Sequence, residues 1–229
     1  MKDLYSRFLP GVCFITMLAA LYAIFIYAPT ERTMGNVQRI FYFHISAWWV
    51  AGVALFVVFV SSVAYLWKRE RHFDATALAS TEIAVLFMTV GITTGPIWAK
   101  PIWGVYWTWD PRLSSALVCW LMYVAILMLR RYIPEESKRS NLSAVAGILA
   151  FVNVPFVFMT IRLFRTQHPQ PVIAGPGGDE SGLAPAMTHA FLITLVAFTF
   201  LYLLLMQKRL AVEATEQQVD KLHKELELA

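Results

Sequence analysis

Residues 98–112 read WAKPIWGVYWTWDPR, and this stretch decides how the rest of the chain has to be arranged. It holds half of the eight tryptophans of the chain, Trp98, Trp103, Trp107 and Trp109. Its prolines and its glycine interrupt a regular helix, so its backbone polar groups would lack partners in lipid. We therefore expect the stretch at a membrane surface or in a protein-lined cavity open to water. Its aromatic rings and cations suit a flat, apolar ligand with negative groups at its edge.

The composition is that of a protein with several membrane spans. Hydrophobic residues make up 58% of the 229 residues, charged residues make up 15%, and the mean hydropathy is +0.57. This balance argues against an ordinary soluble enzyme. The length fits one helical bundle with short loops. The first apolar run is long enough to span and lacks a convincing cleavage site, so no cleavable signal peptide is expected.

Six apolar segments are long enough to cross a bilayer, which takes about 20 residues each. Strand-like alternation is absent, so the sequence predicts an all-α, polytopic membrane protein. We expect a six-span membrane domain over residues 1–211 with a loop at 96–112. A tail over residues 212–229 has apolar residues at the spacing of an amphipathic helix. The predicted spans are Leu9–Ala28, Phe41–Trp67, Ala75–Gly95, Leu113–Ile133, Leu142–Ile161 and Ala186–Met206.

The distribution of Lys and Arg predicts the orientation of these spans. If the spans alternate in direction, thirteen of the 19 basic residues fall on the side of the two termini and six on the other side. Cytoplasmic loops carry the excess of positive charge in membrane proteins. Both termini are therefore expected in the cytoplasm, and the tryptophan-rich loop is expected on the outer face.

Several residues within the predicted spans carry expectations of their own. Cys13 and Cys119 differ in depth by more than a disulfide can bridge, so both are interpreted as small packing residues. Glu82 lies about 10 Å inside the third span, where an ionisable group usually faces protein or a watery cavity. Asn153 and Pro155 predict a kink in the fifth span.

Two histidines are candidate ligands on the predicted outer side. His44 lies about one turn into the second span with Trp48 on the same helix face, and His168 lies in the segment RTQHPQPVIAGPGG. Each alone could equally be an ordinary polar residue. Haem is a flat, apolar ligand with carboxylates at its edge, and two neutral imidazoles would give its iron six ligands. His189 is a third candidate, which spacing alone does not rank below His168.

The charged residues near the loop have two interpretations each. Arg39, Lys100 and Arg112 could hold the carboxylates of the ligand or could anchor helix ends at the membrane interface. Asp110 is expected to cap the fourth span or to pair with Arg112. The tryptophans could form an interfacial aromatic belt, although a belt explains less well why four of them share one short loop.

The segment WGVYWTWDPRL resembles the tryptophan-rich WWD signature of the haem-handling membrane proteins of cytochrome c biogenesis. The FYFH segment before it, the VNVP…TQHP run after it and the six-span length are similar to the CcmC type specifically. The distinctive motifs cover about residues 39–169. The sequence departs from relatives at Leu163 and Phe164, where they commonly carry tryptophans.

This resemblance implies a haem-binding and haem-transfer protein of the bacterial inner membrane that is not itself an enzyme. It implies haem b, bound non-covalently and transiently on the periplasmic face, with His44 and His168 as the axial ligands of the iron. It also implies two kinds of partner: a membrane-anchored haem chaperone, and the ATPase and permease subunits of an ABC-type complex. No GxxxxGK[ST] loop is present in the sequence, so ATP hydrolysis would belong to a partner, and no nucleic acid is expected. The other candidate haem-site residues are Trp98, Trp103, Trp107, Trp109, Asp110, Arg39, Arg112 and Lys100.

Two other functions remain open from the sequence. One is a CcsA-like subunit of a haem-transporting cytochrome c synthase, although the chain has no large external domain. The other is a structural or quinone-binding subunit of a respiratory complex, with interfacial aromatics. Within the haem-transfer interpretation, His168 lies in the segment richest in Gly and Pro, so it is expected to be the ligand that moves on release.

Overall fold

The computed structural model describes residues 2–164, 166, 168 and 183–227, and these residues form a bundle of long antiparallel helices. Six helical segments are long and apolar enough to cross a membrane, which confirms the all-α, six-span prediction. One isolated bridge joins Glu31 and Gly35. The spans run over Arg7–Tyr27, Asn36–Lys68, Arg71–Trp103, Pro111–Tyr132, Glu136–Leu163 and Pro185–Val219.

The helices are numbered here in chain order. The first span, α1, continues as one π-helical turn, Ala23–Tyr27, and the second is preceded by a 3₁₀ turn, Asn36–Arg39. The α-helices are α1 Lys2–Tyr22, α2 Ile40–Lys68, α3 Arg71–Trp103, α4 Pro111–Tyr132, α5 Glu136–Phe151, α6 Asn153–Leu163 and α7 Pro185–Glu227. Because successive spans alternate in direction, residues 28–39 and 104–110 lie at one end of the bundle, called here the tryptophan end. Residues 69–70 and 133–135 lie at the other end, called the tail end.

The third span is longer than the sequence predicted. It was expected to end at Gly95, but α3 continues through Pro96 and Pro101 to Trp103. A proline removes its own N–H from the helical ladder, while the bonds on either side of it can carry the helix onward. The predicted loop at 96–112 was therefore too long, and its non-helical part is residues 104–110.

Gly104 ends α3. Its φ of 75° lies in the left-handed region that glycine adopts without strain, and its N–H donates to the Lys100 carbonyl at 3.0 Å. The chain then turns through the loop to Pro111, which begins α4. Proline suits that first helical position because the N–H it lacks would have no helical partner there.

The fifth span breaks where the kink was predicted. Helix α5 ends at Phe151 and α6 begins at Asn153, with Val152 between them. The Asn153 side chain donates Nδ2–H to the Ser115 carbonyl of α4 at 3.1 Å. The break thus ties the span to its neighbour.

The most extensive contact between helices is that of α2 with α3. At the tryptophan end this contact depends on two glycines of α3, Gly91 and Gly95, that lie one turn apart. A Cβ at Gly91 would lie 2.6 Å from the indole of Trp48, and a Cβ at Gly95 would lie 3.2 Å from Cε1 of His44. Trp48 and His44 are also one turn apart, so two side chains of α2 pack directly on the backbone of α3.

Ion pairs join the helices towards the tail end. The Arg130 guanidinium of α4 donates to both oxygens of Asp74 in α3 at 2.7 and 2.8 Å, and the Ser140 hydroxyl of α5 donates to the same carboxylate at 2.8 Å. Glu82, the ionisable residue within the third span, accepts from Arg209 of α7 at 2.5 Å. Asp74 and Glu82 therefore each have a cationic partner on another helix.

Two further expectations can be compared with the structure. Cys13 and Cys119 are both buried and free, as predicted for packing residues. The tail does not form a separate unit, because α7 runs without a break from Pro185 to Glu227 past the boundary expected at residue 212. The apolar residues beyond that point include Val219, which is 44% exposed.

We predict that Gly91→Ala destabilises the bundle by about 1 to 3 kcal/mol, because the new methyl group would overlap the Trp48 indole. Thermal unfolding in detergent measures the effect. Gly52→Ala in α2 is the matched control, since no atom lies within 4 Å of a Cβ there. It should be neutral or stabilise by about 0.5 to 1 kcal/mol through helix propensity. Equal stability of the two variants would show that the close helix contact contributes little.

Candidate functional site

His44 is held deep in the interface between α2 and α3. Its residue is 6% exposed, and its Nδ1 lies 3.0 Å from the Thr94 hydroxyl oxygen of α3. The imidazole packs edge to face against two indoles: its ring centroid lies 5.9 Å from that of Trp98 and 6.4 Å from that of Trp48. A side chain bounded by glycine, threonine and two tryptophans has little rotational freedom. His44 is therefore a preorganised imidazole at the tryptophan end of the bundle.

The structure brings His168 and Arg112 towards this imidazole. Both lie close enough to His44 to interact with it electrostatically. His168 is partly buried, and its backbone N–H donates to the Thr166 hydroxyl at 3.1 Å. The two histidines predicted as a pair of ligands are thus neighbours in space although they are far apart in sequence.

The tryptophans of the predicted platform fall into two groups. Trp98 lies on α3 among His44 and Phe41, with a ring centroid distance of 6.0 Å to Phe41. Trp107 and Trp109 lie in the loop and pack edge to face at 5.8 Å. Trp103 closes α3 and is 36% exposed, whereas Trp109 is 77% exposed.

Two of these indoles have a buried N–H group that makes no hydrogen bond within the described residues. The Nε1–H groups of Trp98 and Trp107 are buried and have no hydrogen-bond partner in the part of the chain that the structure describes. Buried donors without a partner cost free energy, so a site that keeps two of them is suited to a ligand that brings acceptors. The carboxylates of a tetrapyrrole are acceptors of that kind.

Asp110 caps the start of α4, which is one of the two roles predicted for it. Its Oδ1 accepts from the backbone N–H of Arg112 at 2.9 Å and of Leu113 at 3.1 Å. Its Oδ2 accepts from the Thr108 hydroxyl at 2.9 Å. The carboxylate thereby fixes the loop next to Trp107 and Trp109 to the start of α4.

The three predicted cations have partners within the protein. Arg112 donates to the Val157 carbonyl of α6 at 2.9 Å, and Lys100 donates to the Gly104 carbonyl at 2.8 Å while lying 5.2 Å from the Tyr106 ring. Arg39 donates to the Ile24 carbonyl of the π-helical turn and, at 3.5 Å, to Asn36. Arg112 interacts electrostatically with His44, whereas Arg39 is directed towards α1.

The connection before Arg39 is ordered by Glu31. Its carboxylate accepts from the backbone N–H of Met34 and, at 2.7 Å, of Thr33. These hydrogen bonds, first that from Met34, lower the pKa of Glu31 against the opposing effect of desolvation. The turn between the first two spans is thus held by a carboxylate that stays ionised to lower pH than usual.

His189, the third candidate histidine, has a different environment. Its Nδ1 lies 3.1 Å from the hydroxyl of Tyr27, and the two rings stack at a centroid distance of 6.3 Å. This pairing joins the start of α7 to the π-helical turn after α1. His189 therefore faces α1, whereas His168 lies near His44.

Sequence reasoning missed Thr94 and Gly95, which define the pocket of His44. A signal was present in the segment GITTG at residues 91–95, because its two glycines are one turn apart on a helix.

The proline- and glycine-rich segment that follows His168, residues 169–182, lies outside the described residues, as does Arg165.

The chain is similar to proteins of one family over its whole length. The family model described as CcmC, heme exporter protein C, matches residues 1–225. A heme exporter protein C of Bradyrhizobium diazoefficiens is 29% identical over 226 residues, covering 96% of this chain and 83% of its own. The heme exporter protein C of Escherichia coli K12 is 27% identical, covering 76% of this chain and 69% of its own. A putative cytochrome c biosynthesis ccmC-like mitochondrial protein of Marchantia polymorpha is 26% identical, covering 72% and 69%.

We predict that Asp110→Ala destabilises the protein by about 0.5 to 2 kcal/mol, because two N–H groups at the start of α4 lose their acceptor. Asp110→Asn should retain most of the stability, since its amide oxygen can accept the same two bonds. Chemical unfolding in detergent compares the variants. An equal loss in both would mean that the negative charge matters and the cap does not.

Proposed function

The chain belongs to the CcmC family, heme exporter protein C, and on that premise we propose that it binds haem at the tryptophan end and passes it on. Haem is here a cargo and not a permanent cofactor. In this proposal the cargo is haem b, held without a covalent bond, with His44 and His168 as the axial ligands of its iron. The protein acts as a subunit of transport and delivery and catalyses no reaction of its own.

The observation that carries the proposal is that two imidazoles at the tryptophan end, those of His44 and His168, lie within electrostatic range of each other. His44 is buried and fixed between α2 and α3, and His168 lies within electrostatic range of it. Two imidazoles that approach one iron from opposite faces give a six-coordinate, low-spin haem. A site of this type binds haem without leaving a position for oxygen, which suits transport.

The surroundings of the two histidines match the remaining surface of haem. Trp98, Trp107 and Trp109 offer apolar rings to the macrocycle. The unpartnered indole N–H groups of Trp98 and Trp107 and the guanidinium of Arg112 are donors for its two carboxylates. Trp103, Lys100 and Arg39 remain proposed members of the site, and Asp110 supports it by fixing the loop.

The tryptophan end is proposed to face the periplasm. The support is the excess of Lys and Arg at the tail end, which favours a cytoplasmic location for that end in a bacterial inner membrane. In this orientation the protein presents haem to a membrane-anchored haem chaperone. The ABC-type ATPase and permease subunits of the cytochrome c maturation complex are the proposed partners that supply the energy.

His168 is proposed to be the ligand that is exchanged on delivery. His44 is fixed by α3 on one side and by two indoles on the other, so it is suited to retain the iron until the end. His168 lies beyond the end of α6 and is not part of a helix. Haem transfer that continued without His168 but stopped without His44 would contradict this order of events.

We predict that protein purified from a haem-rich host has the visible spectrum of a low-spin, six-coordinate haem. His44→Ala should abolish that spectrum, because the fixed ligand is lost. His168→Ala should reduce the amount of bound haem, and the haem that stays bound should be high-spin, because only one ligand to the iron remains. Absorption spectroscopy of the ferric and ferrous states measures both effects.

The matched control is His72→Ala, which removes an exposed histidine near the tail end. Its spectrum should equal that of the unmodified protein. Well-folded protein without any haem, or a haem spectrum that neither His44→Ala nor His168→Ala changes, would refute the proposed site.

A further inference from the structure

We propose that Thr94 is a positioning residue that sets the tautomer of His44, so that the Nε2 lone pair of this histidine is presented to the haem iron. The inference deepens the proposed function and rests on it, because it names the group that prepares one of the two ligands. It follows from the direction of two hydrogen bonds.

The first hydrogen bond uses the only hydrogen of the Thr94 hydroxyl. The Oγ1–H group donates to the Val90 carbonyl one turn earlier in α3, at 2.7 Å. A threonine hydroxyl has one hydrogen to donate and two lone pairs with which to accept. Once the hydrogen is committed to the helix backbone, Oγ1 can serve any further neighbour only as an acceptor.

With the hydroxyl hydrogen on the Val90 carbonyl, the second hydrogen bond runs from His44 to Thr94. Nδ1 of His44 lies 3.0 Å from the same Oγ1, and in this arrangement Nδ1 carries the hydrogen and donates it. A neutral imidazole carries one hydrogen, and if that hydrogen is on Nδ1 the lone pair is on Nε2.

This arrangement is the one that an iron ligand needs. A histidine binds a metal in its neutral form through the nitrogen that has the lone pair, and a hydrogen bond from the other nitrogen fixes the ring and raises its basicity. In water a neutral histidine side chain prefers the opposite tautomer, with the hydrogen on Nε2. Thr94 therefore stabilises the less common form before haem arrives.

Gly95 makes the contact possible. A Cβ at this position would lie 3.2 Å from Cε1 and 3.9 Å from Nδ1 of His44, so a larger residue would press on the ring.

The hydroxyl of the adjacent residue, Thr93, faces away from α2, unlike the hydroxyl of Thr94. It donates to the Thr89 carbonyl at 2.8 Å and is exposed. The chain thus provides a matched control at the neighbouring position.

The first experiment uses protein without haem. Histidine labelled with ¹⁵N reports by NMR which ring nitrogen carries the hydrogen, and His44→Ala identifies the signal of His44. We expect the hydrogen on Nδ1 in the unmodified protein, in Thr94→Ser and in Thr93→Val. Thr94→Val keeps the shape of the side chain but removes the acceptor, so a clear Nε2–H population should appear.

The second experiment uses protein loaded with haem. Thr94→Val should bind haem about 10- to 100-fold more weakly, the usual loss when the hydrogen-bond partner of a metal-binding histidine is removed. Its reduction potential should rise, because a less basic imidazole stabilises ferric iron less. Thr94→Ser and Thr93→Val should bind haem as the unmodified protein does.

The outcomes separate this inference from the proposed function. An unmodified protein with Nε2–H at His44, or a Thr94→Val protein that keeps Nδ1–H and normal haem affinity, would overturn the role of Thr94. Failure of the unmodified protein to bind haem would refute the proposed function, whatever the tautomer. A loss of thermal stability in Thr94→Val without any change of tautomer would show that Thr94 is a structural residue, and would also overturn the inference.

Discussion

The close packing of α2 on α3 is the contact on which the tryptophan end depends. Gly91 and Gly95 remove two side chains from α3, and Trp48 and His44 of α2 occupy the space. Protein interiors are packed as densely as organic crystals, so side chains held between two helix backbones have little freedom. This contact places one imidazole at a defined depth, next to Thr94 and Trp98. His168 and Arg112 lie within electrostatic range of that imidazole.

The two ends of the bundle treat polar groups differently. Within the bundle towards the tail end, Asp74 is paired with Arg130 and with Ser140, and Glu82 is paired with Arg209. Asp74 and Arg130 are largely buried, and removing one partner of a buried pair typically costs about 3 to 5 kcal/mol, so this pair holds α3 and α4 together. The Glu82–Arg209 pair is more exposed and adds a weaker link between α3 and α7. At the tryptophan end, two indole N–H groups are buried without a partner in the described residues. The tail end also has buried polar atoms without a partner in the described residues, Arg130 Nε and Gln207 Oε1 among them, so the two ends differ in their ion pairs and not in the presence of unused hydrogen-bonding groups.

The basic residues of the tryptophan end are held by backbone carbonyls. Arg112 donates to the Val157 carbonyl within α6, Lys100 donates to the Gly104 carbonyl just after α3, and Arg39 donates to the π-helical turn after α1. These bonds hold the side chains in place. A cation held in this way needs little reorganisation when a carboxylate approaches. A structural role is thus compatible with the ligand-binding role proposed for Arg112.

The sequence by itself determined the class of the fold, the six spans and the buried free cysteines. It also indicated the helix break next to Asn153 and gave the cap as one of two roles for Asp110. Each of these follows from local chemistry: the length of an apolar run, the loss of an N–H at proline, or the preference of aspartate for a helix start. The sequence also singled out His44 and His168, together with the resemblance to the CcmC family. It placed the end of α3 too early, since prolines signal a break that the helical bonds around Pro96 and Pro101 override.

Only the tertiary structure decided which groups meet. The partner of Glu82 lies on α7, the neighbour of His189 lies next to α1, and the acceptor for His44 lies on α3. Residues 50 or more positions apart are brought together by the packing of helices, and no local pattern encodes their distance. The direction of a hydrogen bond is likewise decided by where its neighbours already donate. For that reason the sequence could propose a histidine as a ligand, but the structure was needed to show that Thr94 lies beside its Nδ1.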